Sequence, residues 1–370
     1  MDQNPQLLSR MLPLRKERFV FVFLAITSLL TGLIAGLGRI GWDPILLNAV
    51  PQHGAIMVGG FLGTLITLEK IIPLKRPYLY AFPLISGMSV VLFLTGHAIH
   101  GYILLICASA GMFFVTTIYL SKNPNLIYLL MTVGAGCWLA GNIRLATSNF
   151  YPLAIPPWMA FALFIISAER IELMKFMPVS ELSKKLFASL LFAFLVCSAL
   201  SFHGWGGVLS GIMLMAIAIW LLRFDVIAIS MRKSGLTKFM ALALCSGYIS
   251  LLITGLFLIL FNAQPFSYDV IVHTFFIGFV FSMIFAHGPV ILPGVLGSSV
   301  KPFAPQLYIW LFLLHASLWL RIGSDSLGLT DVRKISGVIT SLSIIGYFAN
   351  VAFLLIKQGA SKWKSTFGYH

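Results

Sequence analysis

The chain has 370 residues, of which 59% are hydrophobic and only 10% charged, with a mean hydropathy of +0.96 and a formal net charge of +14. An ordinary soluble domain carries about 25% charged residues, so the composition excludes a water-soluble globular enzyme and implies an all-α, polytopic membrane protein. The surplus of positive charge belongs to membrane topology and anionic head groups, and no nucleic-acid partner is read from it.

Hydropathy predicts twelve spans, near residues 19–38, 52–71, 79–96, 101–120, 125–143, 154–174, 186–203, 207–223, 239–261, 270–292, 306–322 and 335–356. A short segment 1–18 therefore precedes a membrane domain over 19–356, and a tail over 357–370 follows it. Twelve spans put both termini on one side. Of the 25 lysines and arginines, all but Arg39, Arg144, Arg321, Arg333 and Lys334 fall on that side. The positive-inside rule then makes both termini cytoplasmic, in a bacterial-type inner membrane. The first span is full length and follows a basic segment, which fits a retained anchor better than a cleaved secretory signal. Cys107, Cys137, Cys197 and Cys245 stand singly in apolar spans and are read as packing residues.

Span one ends at Arg39, and a loop brings the chain to His53 in the first turn of span two. His53 and Glu69 are sixteen residues apart, about 24 Å at helical rise, so they mark opposite ends of an apolar core of about 30 Å. Met57, Gly60 and Thr64 line the face beneath the histidine, and Gly59 and Gly63 thin the helix further, so a flat ligand or a neighbouring helix fits closely there. His97 and His100, in the GHAIHG connection, are three apart; two solvated loop histidines are the simpler reading, a surface metal site the other. Span five closes on Asn142 and Arg144. Span six descends from Pro156-Pro157-Trp158 to Glu169, Arg170 and Glu172, read as an interfacial ion-pair cluster with snorkelling side chains. His203 falls in the loop between spans seven and eight.

Span ten reads VIVHTFFIGFVFSMIFAHGPVILP. His273 stands about one turn inside its outer end, and His287 fourteen residues later returns to within about 40° of the same face. Gly288-Pro289 and Pro293-Gly294 predict a broken or kinked inner end. His315 and Arg321 belong to span eleven. The inner ends of spans two, six and ten read ITLEKI (66–71), ISAERI (166–171) and IFAHGP (284–289), so Glu69, Glu169 and His287 recur every four spans. That interval suggests three arcs of four helices about a pseudo-threefold axis.

An ionisable group inside a span is costly unless satisfied, so each one is a functional candidate. His53 and His273 share a level near the outer ends of two descending helices. If those helices are neighbours, the two imidazoles approach a haem iron from opposite faces. Arg39, Arg144 and Arg321 stand at the same level as candidate clamps for the propionates. His287, His315, Glu69 and Glu169 form a possible second metal or haem site.

The H-G-x-x-M at His53, Gly54 and Met57, opening the second of twelve spans, resembles the haem-binding second helix of haem-copper oxidase subunit I. His273 near the start of span ten is similar to that family's tenth-helix ligand, and the pseudo-threefold plan resembles it over the whole chain. Short loops, length and the HTFFIGFVFSMIFAHGPVILP segment most resemble the NnrS family. This resemblance implies a membrane protein with haem, of b type, and a role in nitric oxide metabolism or nitrosative-stress tolerance, with a quinol or redox protein as electron donor. NnrS proteins are reported also to contain copper, for which no site is evident in this sequence. The oxidase pattern is incomplete: Ile271 and Phe275 flank a single His273 where the oxidases carry H-x-H, and their copper histidines on helices six and seven have no counterpart. A proton-coupled secondary transporter, using Glu69, Glu169 and His287 as a proton path, is the alternative from another class. A structural or assembly subunit with no ligand is a third.

Overall fold

The computed structural model describes residues 16–200, 204–261 and 264–367. His203, most of the segment before span one and the last three residues lie outside them. Twelve helices are long and apolar enough to cross a membrane, and there is no strand among the described residues. In chain order they are α1 Phe19–Arg39, α2 Leu47–Leu74, α3 Pro77–Leu94, α4 Ala98–Lys122, α5 Leu126–Ser148 and α6 Tyr151–Leu173. The second half comprises α7 Glu181–Ala199, α8 Trp205–Phe224, α9 Gly235–Leu260, α10 Ser267–Leu296, α11 Leu307–Leu327 and α12 Thr330–Gln358.

The helices match the twelve predicted spans, with corrections at their ends. His97 caps α4 and His100 lies in its first turn rather than in a loop. The two exposed rings sit 6.0 Å apart, and Thr95, not a metal ligand, faces His97 Nδ1 at 3.1 Å. The last helix runs on to Phe367, past the predicted start of the tail at 357. Hydropathy marks where apolar residues stop, whereas the backbone continues because no proline follows Thr330.

Three helices are more enclosed than the rest: α2, α6 and α10 bury 67%, 78% and 61% of their apolar windows, and no other helix exceeds 56%. Each is the second of a run of four, the interval at which the ITLEKI, ISAERI and IFAHGP segments recur. The interior is aromatic where they meet. Phe61 of α2 stacks on Phe281 of α10 and meets Phe348 of α12 edge-on, while Trp138 of α5 stacks on Phe161 of α6. α12 also packs against α1, bringing the end of the membrane domain beside its start.

The expected break in α10 does not occur. The helix passes through Pro289 and Pro293 and stops only at Gly297, whose φ of 80° suits a residue without a Cβ. Pro289 has no N–H to give to the carbonyl of Phe285 four residues earlier. The Tyr347 hydroxyl of α12 donates to that carbonyl instead, at 2.7 Å, while the Tyr347 and Phe285 rings stack at 3.7 Å. A helix in an apolar medium tolerates proline when a neighbour re-satisfies the freed group. Tyr347→Phe keeps the stack and removes the donor, so it is expected to cost about 1–3 kcal/mol, read as a lower melting temperature in detergent micelles.

Candidate functional site: a cavity between two imidazoles

His53 opens the α-helical part of α2, after a 3-10 turn through Pro51 that lets the chain enter the helix without needing the missing N–H. His273 closes the first α-helical segment of α10. Each is followed closely by an eight-residue π-helical stretch, Ile56–Gly63 in α2 and Thr274–Phe281 in α10. Wide turns of this kind are rare and are frequent at functional sites.

The two rings lie side by side in the bundle, with centroids 6.5 Å apart and planes 19° from parallel. His53 Nδ1 lies 2.7 Å from the carbonyl oxygen of Gly32, and His273 Nδ1 lies 2.8 Å from that of Asp269. A carbonyl only accepts, so both Nδ1 atoms carry the proton and both Nε2 atoms keep a lone pair free for a ligand. Room for the His53 ring comes from α1. A Cβ built on Gly36 would lie 2.8 Å from His53 Cε1, and Gly32 admits the Met57 side chain in the same way. Gly32 and Gly36 form a G-x-x-x-G stripe, the spacing that lets membrane helices approach closely.

Around the rings lies a cavity of about 320 Å³, walled by α1, α2, α6, α10, α11 and α12. Its size falls at the lower end of the roughly 300–1,000 Å³ typical of small-molecule and cofactor sites. Met57 lines it below His53, and Phe276, Ile277 and Phe281 supply an apolar wall opposite. Arg39, Tyr151, Tyr268 and Asp269 give it a polar rim.

The candidate residues divide in three dimensions. His53, His273, Met57, Arg39 and Arg321 all line this cavity. Gly60 does not: it faces Ser28 and Ser89, on the side of α2 turned to α1 and α3. Arg144 does not either, and opens on a separate groove with α6 and α7. A shared level in the membrane does not fix which side of the bundle a side chain faces. Arg321 is at the cavity but already engaged. Its Nε and Nη2 donate to the two oxygens of Asp269 at 2.8 and 3.0 Å, a bidentate pair. Arg333 adds a contact to Asp269 at 3.3 Å and pairs with Asp325 at 2.8 Å. Asp269 Oδ1 also lies 3.3 Å from His273 Nδ1, so the residue whose carbonyl holds the imidazole also holds the arginine through its carboxylate. Of the three predicted arginine clamps, Arg39 alone lines the cavity without an ion pair among the described residues.

Asp269, Tyr151, Tyr268 and Arg333 were not singled out by sequence. Asp269 stands four residues before His273 and carried a legible signal, an acidic residue one turn from a candidate ligand.

The opposite ends of α2, α6 and α10 carry a second polar cluster. Lys70 Nζ bridges Glu69 at 2.8 Å and Glu169 at 2.7 Å. Arg170 donates to His287 Nε2, whose Nδ1 donates to Met283 O at 2.7 Å. Arg170 also faces Asp225 at 3.9 Å, and the Tyr248 hydroxyl donates to that carboxylate. The three recurring positions therefore do converge, through the cation that follows each glutamate. Arg170 is 2% exposed, so it does not snorkel as expected. Glu172 alone behaves that way, pairing at the surface with Lys175. The suggested second metal site is not assembled among the described residues. Lys70 fills the space between the carboxylates, Arg170 covers His287, and His315 turns to Ser282 Oγ at 2.9 Å.

A family described as a domain of unknown function, DUF8744, matches residues 18–356, which takes in all of the first eleven helices and most of α12. The chain belongs to that family. No curated protein matches it. In this DUF8744 chain the residues of both polar clusters fall inside the matched region.

Proposed function

We propose that this DUF8744 protein is a haem-binding integral membrane protein with His53 and His273 as the two axial ligands. The observation that carries the reading is the adjacent pair of imidazoles with free Nε2 atoms. Metal–imidazole bonds of about 2 Å on either side of one ion leave ring centres roughly 6 Å apart, close to the 6.5 Å found here. The carbonyls of Gly32 and Asp269 hold the rings in the required tautomer, as hydrogen-bond partners behind metal-bound histidines generally do. Arg39 at the rim suits one propionate, and the wall of Phe276 and Phe281 suits an apolar macrocycle. Bound there, haem supplies one-electron chemistry, and two imidazole ligands favour electron transfer over direct activation of a substrate.

By its resemblance to NnrS, the protein serves nitric oxide metabolism or nitrosative-stress tolerance, with a b-type haem reduced by a quinol or a redox protein. The charge asymmetry supports an inner-membrane location with both termini cytoplasmic and the histidine cavity toward the periplasm. The absorption spectrum of protein purified from haem-replete membranes tests the proposal. A Soret band is expected, with pyridine haemochrome analysis reporting b-type haem. His53→Ala and His273→Ala should each abolish it, with partial recovery in added imidazole. A wild-type protein without the band, after reconstitution with hemin, would sink the reading.

The buried cluster of Lys70, Glu169, Arg170 and His287 favours a second reading, a proton-coupled transporter. Proton-driven uptake in liposomes that Glu169→Gln abolishes would support it.

A further inference from the structure

Arg144 stands at the mouth of a groove of about 180 Å³, on a face of the bundle away from the histidine cavity. Val133, Cys137, Ala140 and Arg144 form its α5 wall, at positions i, i+4, i+7 and i+11 of one helical face, a run of about 16 Å. Gly136 of α5, Pro157 of α6 and Leu195, Ser198 and Ala199 of α7 complete it. The groove has depth because most of its residues are small. Its wall is also chemically quiet: the Ser198 hydroxyl is spent on Leu195 O at 2.9 Å, and the buried Cys137 thiol has no hydrogen-bond partner among the described residues. Ala140 and Arg144 are exposed, on membrane-spanning helices, so what lies against them is lipid.

Arg144 is four residues from the end of α5, at head-group depth, and its guanidinium has no ion pair or hydrogen bond among the described residues. A permanent cation at the end of an apolar slot of this length is complementary to one ligand chemistry: a phosphate ester carrying an acyl chain. We propose that the groove holds one chain of an anionic phospholipid whose phosphate is bound by Arg144. The site is independent of haem, since it shares no lining residue with the cavity between the imidazoles.

Native mass spectrometry of the full chain, titrated in micelles with phosphatidylglycerol or with zwitterionic phosphatidylcholine, tests this. Wild type is expected to retain one phosphatidylglycerol in preference to phosphatidylcholine. Arg144→Gln should weaken phosphatidylglycerol retention roughly fivefold and erase the preference. Ala140→Phe, on an exposed position where folding is unaffected, should reduce retention of both lipids by filling the slot. Equal retention of the two lipids by wild type would mean annular lipid only and would overturn the proposal. So would unchanged phosphatidylglycerol retention in both variants, or retention of an isoprenoid quinol in its place.

Discussion

Asp225→Ala is expected to be strongly destabilising, lowering stability by about 3–5 kcal/mol, the cost of leaving a buried charge without its partner. The Asp225 side chain is fully buried and that of Arg170 is 2% exposed. Removing the carboxylate takes away the acid that faces the guanidinium at 3.9 Å and leaves it the His287 Nε2, which brings no charge while unprotonated, and the more distant field of Glu169, itself held by Lys70. It also orphans the Tyr248 hydroxyl and the backbone N–H of Val226, which donates to Asp225 Oδ1 at 2.6 Å. Thermal unfolding in micelles reads the loss. A double variant, Arg170→Met with Asp225→Leu, removes both charges and should melt above the Asp225→Ala protein, because apolar replacement of a buried pair is close to neutral. A double variant that melts below the single one would show that the network is held together by something other than its charges.

Gly36→Val should disable the histidine cavity from a helix that contributes no ligand. Any Cβ at this position falls within 3.0 Å of His53 Nδ1, and valine adds two methyl groups beyond it. The ring must swing away, breaking its bond to Gly32 O and losing its alignment with His273. Overpacking of this kind costs about 1–3 kcal/mol in stability. On the haem ligation proposed above, a misdirected nitrogen would be equivalent to a missing one, and Soret absorbance per protein should fall to the level of His53→Ala. Gly323→Ala, where a Cβ meets nothing within 4 Å, is the matched control and should leave the spectrum unchanged without lowering the melting temperature. Full haem retention in Gly36→Val would mean that His53 is not a ligand in the orientation described here.

The parts of this protein legible in its sequence are those written in one-dimensional periodicity. Twelve apolar stretches and an uneven distribution of lysine and arginine are enough for the helix count, because a bilayer imposes a length on every span. His53 and His273 stand out because imidazoles are rare inside spans. The recurrence of Glu69, Glu169 and His287 is legible as a period, and the structure brings those positions to one end of the bundle. What is hidden is azimuth. Arg39, Arg144 and Arg321 are alike in depth, and only packing shows that the first lines the cavity without an ion pair among the described residues, the second opens on a separate groove and the third is held by Asp269. Asp225 and Tyr248 are hidden for the same reason, since their partnership crosses from the end of α8 to the middle of α9. Pro289 misleads because its usual consequence is cancelled by a hydroxyl 58 positions later, on Tyr347.

The π-helical stretches in α2 and α10 also bear on how such a chain can vary. Each lies between a histidine at one end of its helix and a charged or hydrogen-bonded residue at the other, so the relative bearing of the two ends is set by the number of residues between them. Removing one residue from 56–63 would rotate His53 about the helix axis relative to Glu69 and Lys70, while exchanging one apolar residue for another would leave both bearings intact. The two halves of these helices are thus geared together by chain length, with tolerance for spelling and little for insertion or deletion.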